Sequence, residues 1–237
     1  MNKSILILGS GRSGTSFLSN LLSANGVKSG ECTSGTMENL KVRQINESYL
    51  SKYFQGQTRS KTPYGILPDE EIVVGTEFQE HSKNFVSEMN GSQSQWWDNS
   101  TSWWMMKDPR TTPLHDMWVK HFDVLIGVFR NPTEVVNSYM KLLDVYFPDD
   151  KQEGYDIMLN YWKRFNQSLL HVFETSDKEK YLFDFNDDVE KQTKTLFSNL
   201  EIDLTNFTYD KNKKHQNSID VIDIEVYNKL KDIRNLI

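Results

Sequence analysis

The spacing of hydrophobic positions changes period several times along the chain, and those changes divide it into elements. Lys3 to Leu8 is a short, nearly continuous apolar run, as expected of a strand covered on both faces, and the stretch from Gly9 to Gly14 breaks it. From Thr15 the period becomes helical, with Phe17, Leu18, Leu21 and Leu22 on one face and Gly26 as the stop. A second helix is predicted over Thr36 to Phe54, with Met37, Leu40, Ile45, Leu50 and Phe54 inward. Gln55 to Gly75 holds Pro63 and Pro68 and reads as loop. Glu77 to Asn90 reads as a helix closed by Asn90-Gly91.

Ser102 to Lys107 is a second strand, followed at once by Pro109, and a helix with Pro113 in its first turn carries Leu114, Met117 and Trp118. Asp123 to Phe129 is a third, clearly buried strand. Asn131-Pro132 opens a helix through Lys141, with Asn as cap, Pro at the first helical position and Glu134 in the first turn. A long helix over about residues 154–174 carries the stripe Ile157, Tyr161, Phe165, Leu169 and Phe173. Tyr181 to Phe185 is a fourth strand, Asp188 to Leu200 a helix, and Asp223 to Leu236 an amphipathic helix.

Strands separated by helices predict an α/β fold: a doubly wound parallel sheet flanked by helices. No internal repeat, low-complexity segment or linker divides the 237 residues, so a single domain over 1–237 is expected. With 37% apolar and 25% charged residues the composition is that of an ordinary globular protein, which excludes wholesale disorder. A net charge of −6 argues against a general nucleic-acid binder, which needs a broad basic surface, but leaves room for a local basic pocket. Cys32 is the only cysteine, so no intrachain disulfide and no cysteine-based zinc cluster can form. The first apolar run, Ile5 to Leu8, is too short for a signal-peptide core or a membrane span. A cytoplasmic protein without a membrane span is the expectation. Ala24 is the only alanine, so helices must rely on packing more than on propensity.

Three stretches carry chemistry. Gly9-Ser10-Gly11-Arg12-Ser13-Gly14-Thr15-Ser16 lies between a strand and a helix. Its glycines allow close approach of a ligand, and the helix start beyond offers free N–H groups and partial positive charge, so the loop suits an anion. Arg12 adds a forked cation, and Thr15 and Ser16 add hydroxyls. The GxxxxG spacing matches a phosphate loop, but Thr15 stands where a nucleoside triphosphatase has its Lys. The second stretch is Val128-Phe129-Arg130-Asn131-Pro132, continuing to Ser138. It puts an Arg at a strand tip, where open parallel sheets bind ligands, and a Ser two turns into the next helix. The third, Trp104-Met105-Met106-Lys107-Asp108-Pro109-Arg110, brings Lys107 and Arg110 to another strand tip.

Together these stretches resemble the PAPS-dependent sulfotransferase family, PAPS being 3′-phosphoadenosine 5′-phosphosulfate. GSGRSGTSFL is similar to the family's 5′-phosphosulfate loop and VFRNPTEVVNSYMK to its 3′-phosphate motif, an Arg followed eight residues later by a Ser. MKDPRTTPLHDMW resembles the KDPR segment of bacterial-type members, and GTMENLKVRQINESYL the helix start after their first βα unit. YWKRFNQSLL and YLFDFNDDVEKQTKTLFSNLEI also fit later elements, so the resemblance runs over about residues 4–204. It implies transfer of a sulfuryl group from PAPS to a hydroxyl or amine, leaving PAP. By that resemblance Gly11, Arg12, Ser13, Gly14, Thr15 and Ser16 hold the 5′ end, and Arg130 and Ser138 hold the 3′-phosphate. Phe17 stands where many members stack a Trp on adenine. Glu38 matches the position of a general base, and Lys107 lies near the transferred group. The acceptor, a small molecule or carbohydrate, is expected to meet segments within residues 33–100.

Two other readings compete. A P-loop kinase or nucleotide hydrolase shares the fold and could use Asp108 as a magnesium ligand, but it lacks the Walker Lys. A non-catalytic nucleotide-binding protein would keep the crevice without transfer. His81, His115, His121, His171 and His215 lack metal-ligand spacing, and no metal site is expected. Trp103 and Trp104 read as core; Trp96 and Trp97 read as loop residues open to a sugar-stacking role. Lys211, Lys213 and Lys214 read as a solvated loop or as an approach to an anion.

Overall fold

The computed structural model describes residues 3–51, 72, 75–90, 103–146, 151–209 and 225–235, with side chains at 142–146 and 151 left aside. The expected loop over 55–71, Phe54, Trp96, Trp97, His215 and the lysines at 211, 213 and 214 lie outside the described residues.

Four parallel strands form one sheet in the order β2-β1-β3-β4: β1 is Lys3–Leu8, β2 Trp103–Lys107, β3 Val124–Phe129 and β4 Glu179–Asp184. The alternation of side chains along these strands divides the core in two. Leu6 and Leu8 of β1, Trp104 and Met106 of β2, and Leu125 and Phe129 of β3 face one layer. Ile5 and Ile7, Trp103 and Met105, and Val124, Ile126 and Val128 face the other. Helix α1 (Thr15–Ala24) and α7 (Val189–Asn199) cover the second layer through Leu18, Leu21, Leu22, Leu196 and Phe197. The first layer receives α2 (Leu40–Leu50), α3 (Thr76–Asn90), α4 (His115–Trp118), α5 (Pro132–Tyr146), α6 (Lys151–Thr175) and α8 (Glu225–Arg234). The fold is therefore the expected α/β class with helices on both faces, and Trp103 and Trp104 are buried in it.

Helices α2, α4 and α5 differ most from the sequence pattern. The second starts at Leu40 instead of Thr36, because Gly35 (φ 79°) and Met37 (φ 55°) are in the left-handed region, which a helix cannot pass through. Asn39 then caps α2, its side-chain oxygen accepting from the Val42 N–H at 3.1 Å, and Met37 packs with the α1 layer. The helix expected after Pro113 is reduced to the four residues of α4 between 3₁₀ turns at Pro109–Thr111 and Val119–His121. Two closely spaced prolines and an early return to β3 leave no room for more. At the far end α5 continues five residues beyond Lys141, to Tyr146.

β1 leads to β2 on one side while β3 lies on the other, so the chain reverses direction across the sheet at β1 and β3. The tips of these two strands frame the crevice in which open α/β sheets bind ligands.

Candidate functional site

The loop after β1 is built by its backbone. Gly9 has φ 146°, and a Cβ there would lie 2.3 Å from the Val128 carbonyl, so only glycine lets the tips of β1 and β3 meet this closely. Thr112, 103 residues away, fixes the same residue: its hydroxyl oxygen accepts from the Gly9 N–H at 2.8 Å and the hydroxyl lies 3.2 Å from the Gly9 carbonyl. Ser13 donates its hydroxyl to the Ser10 carbonyl at 2.6 Å, which closes the turn and turns this side chain inward. Gly11 gives its N–H to the Tyr161 hydroxyl at 3.1 Å. Arg12 sits at the exposed apex with φ 65°. Gly14, at φ 105°, precedes α1, and no side chain caps that helix. The N–H groups of Thr15, Ser16 and Phe17 have no intrahelical partner, as at any helix start, and concentrate partial positive charge there. The Ser10 hydroxyl is fully buried without a hydrogen-bond partner.

Arg130, at the tip of β3, is 7% exposed and reaches the loop, with Nη1 donating to the Arg12 carbonyl at 3.5 Å. Its Nε and Nη2 both donate to Glu134 Oε2, the first at 2.8 Å. Asn186 steadies the carboxylate by donating to Glu134 Oε1 at 2.6 Å. The guanidinium lies 5.4 Å from the Phe185 ring centre. Phe185, Phe17 and Tyr209 form an edge-to-face aromatic cluster with centroid separations of 5.5, 5.4 and 6.2 Å. Ser138, half-buried on α5, lies one helical turn beyond Glu134. Tyr209 carried no signal in the sequence and Phe185 was visible only as the end of the fourth predicted strand; the return of the chain after β4 and α7 brings them to Phe17.

The opposite wall is a buried charge cluster. Glu38 stands between Lys107 Nζ at 3.6 Å and Arg110 Nη1 at 3.5 Å, with all three side chains at most 6% exposed. Lys107 also donates to the Thr36 carbonyl at 2.9 Å and to Ser16 Oγ at 3.3 Å, which links this wall to the start of α1. Arg110 continues to Glu47 at 3.1 Å and to Asp108 Oδ1 at 2.9 Å. Burial pulls the Lys107 ammonium below its usual value, against the pull of Glu38 and Asp108. Burial pushes the Asp108 carboxyl up, against Arg110.

Of the residues singled out in the sequence, Arg12, Thr15, Ser16, Phe17 and Arg130 thus converge on one crevice, with Lys107 joined to it through Ser16 and Glu38 through Lys107. Gly11 and Ser13 shape the loop through the bonds above. Among the described residues no group of three or more His, Cys, Asp or Glu side chains converges as a metal site, and no helix is long and apolar enough to cross a membrane. What the geometry defines is a crevice at the tips of β1 and β3 in a parallel α/β sheet, whose loop, helix start and arginines suit an anion, with a buried carboxylate joined to it through Lys107.

No protein-family model matches the chain, and no curated protein matches it in sequence. Among solved structures it is similar to a sulfotransferase domain from the curacin biosynthetic pathway, at 16% identity and a TM-score of 0.44, covering 92% of this chain and 79% of that one.

Proposed function

We propose, from this chain's own loop and crevice residues, that it is a sulfotransferase that takes a sulfuryl group from PAPS and passes it to a hydroxyl or amine. The observation that carries the reading is the contact between two anion-binding elements, Arg130 Nη1 against the Arg12 carbonyl at 3.5 Å, with an aromatic cluster beside them. A nucleotide with an anion at each end of its ribose and a flat base between fits that arrangement. A mononucleotide with one phosphate chain would leave Arg130 unused.

The donor residues fit as follows. The free N–H groups at the start of α1, with Arg12, Thr15 and Ser16, would hold the 5′ end. Arg130 and Ser138 would hold the 3′-phosphate, Arg130 with the part of its fork that Glu134 leaves open. Phe17, Phe185 and Tyr209 would flank the base. PAPS, when bound, supplies a sulfuryl group on a phosphate leaving group. Glu38 takes the proton that the acceptor gives up. Its distances of 3.5 and 3.6 Å to two cations exceed those of tight charge-assisted bonds, so neither cation occupies its oxygens closely. Asp108, bonded at 2.9 Å to both the N–H and Nη1 of Arg110, serves instead to fix Arg110. Lys107 and Arg12 offset the negative charge that gathers on the leaving oxygen.

Thermal unfolding with PAP, with ADP, and with ATP plus magnesium tests this. At about 100 times its dissociation constant a ligand adds about 2.7 kcal/mol. That corresponds to about 5–10 °C for a chain of this size. A shift with PAP and not with the other two is expected. A shift with ATP and magnesium but not with PAP overturns the reading in favour of a kinase or nucleotide hydrolase.

A further inference from the structure

Tyr139, on α5 next to Ser138, is 2% exposed, and its buried hydroxyl makes no hydrogen bond of good geometry, with the Tyr161 hydroxyl only at the margin of bonding. Leaving such a hydroxyl unsatisfied destabilises a fold, whereas a phenylalanine of the same shape would fill the position without that cost. Its surroundings suggest why an oxygen is there. The ring lies under the loop, with the Arg12 guanidinium 5.9 Å from its centre. It packs edge-on against Tyr161, 5.6 Å between centroids, and Tyr161 is the residue that holds the Gly11 N–H. Arg12 and Glu38, from the two walls of the crevice, both act on the Tyr139 hydroxyl electrostatically. The group therefore sits beneath the apex of the loop, beside the residue that holds the Gly11 N–H.

Resting on the sulfotransferase reading above, we propose that the Tyr139 hydroxyl is reserved for the ligand and donates a hydrogen bond to an oxygen of the bound donor's sulfuryl group. The chemistry of the site distinguishes this from contact with the acceptor. Glu38 already receives the acceptor's proton, whereas sulfuryl oxygens accept only and need donors in a region without water. Burial drives the Tyr139 hydroxyl well above its ordinary value, aided by Tyr161 and opposed by Arg12. The phenol thus keeps its proton and acts as a donor, never as a base.

Tyr139→Phe removes the oxygen and nothing else. Calorimetric titration of the wild-type and variant chains with PAPS, and separately with PAP, which lacks the sulfuryl group, reads the effect without an acceptor. The expected result is unchanged PAP affinity and PAPS affinity reduced about tenfold, the loss of one hydrogen bond to a charged group. The ligand-free variant should unfold at the wild-type temperature or above, because an unsatisfied buried hydroxyl has gone. PAPS affinity within twofold of wild type, an equal loss for PAP and PAPS, or a lowered unfolding temperature overturns the assignment. A wild-type chain that binds neither PAP nor PAPS overturns the sulfotransferase reading itself, a different outcome from a variant that binds both unchanged.

Discussion

Gly14 sits where loop and helix meet, and its replacement by alanine tests the construction of the site. A Cβ at this position would lie 2.3, 2.6 and 2.7 Å from three atoms of the Phe185 ring. The ring cannot move away freely: Phe17 and Tyr209 press on its edges, and Arg130 lies across it at 5.4 Å. Gly14 also has φ 105°, where an L-residue is strained. The strain alone costs about 1–2 kcal/mol, partly offset by about 0.4–1 kcal/mol from a less flexible unfolded chain. Overpacking adds about 1–3 kcal/mol, so Gly14→Ala should lose about 2–4 kcal/mol in all. At about 2–4 °C per kcal/mol the melting temperature should fall by about 5–15 °C. Gly35 supplies the control, since it has φ 79° but no atom within 4 Å of its Cβ position. Gly35→Ala should therefore show the strain alone, about 1 kcal/mol and about 2–4 °C. Scanning calorimetry on both variants reads the difference. Equal shifts would mean that the Phe185 contact contributes nothing, and would refute the close packing of loop against aromatic cluster.

Arg130→Ala should weaken PAP about 10- to 100-fold, the range expected for losing charge-assisted bonds to a phosphate, while 5′-AMP binding changes little. Titration with the two nucleotides checks it, and an equal loss for both would remove Arg130 from the 3′ site. Glu38→Gln should keep PAP affinity within about threefold and abolish release of PAP from PAPS with water as acceptor, followed by chromatography. Unchanged release would remove Glu38 as the base.

The parts of this site that were legible in the sequence are those that lie next to one another in it. The β1 loop and α1 occupy consecutive residues, and a change of hydrophobic period marks their junction. Arg130 was legible because an apolar strand ends on it. Lys107, Asp108 and Arg110 were visible as a charged tip, but their division of labour was not: only geometry separates Glu38, at ion-pair distance from two cations, from Asp108, bonded at 2.9 Å. The start of α2 was misplaced because a left-handed Met37 has no signature in composition, whereas Asn39 three residues before Val42 was a cap signal that could have been read. Contacts across long separations had no signal at all. Thr112 holding Gly9, Tyr161 holding Gly11 and Phe185 against Gly14 span 103, 150 and 171 residues.

Glu38, Lys107, Asp108 and Arg110 are each at most 5% exposed, and a cluster of that kind rarely stabilises a fold more than apolar residues of the same volume would. On the proposed reading the cluster serves to hold a carboxylate out of water beside the reacting centre. Lys107 connects the two requirements. It lies 3.6 Å from Glu38, the proposed base, and through Ser16 Oγ it touches the first turn of α1. A change at Lys107 should thus disturb proton removal and anion binding together, whereas changes at Glu38 and Arg130 separate them. On the proposed reading, one lysine is shared by both halves of the reaction.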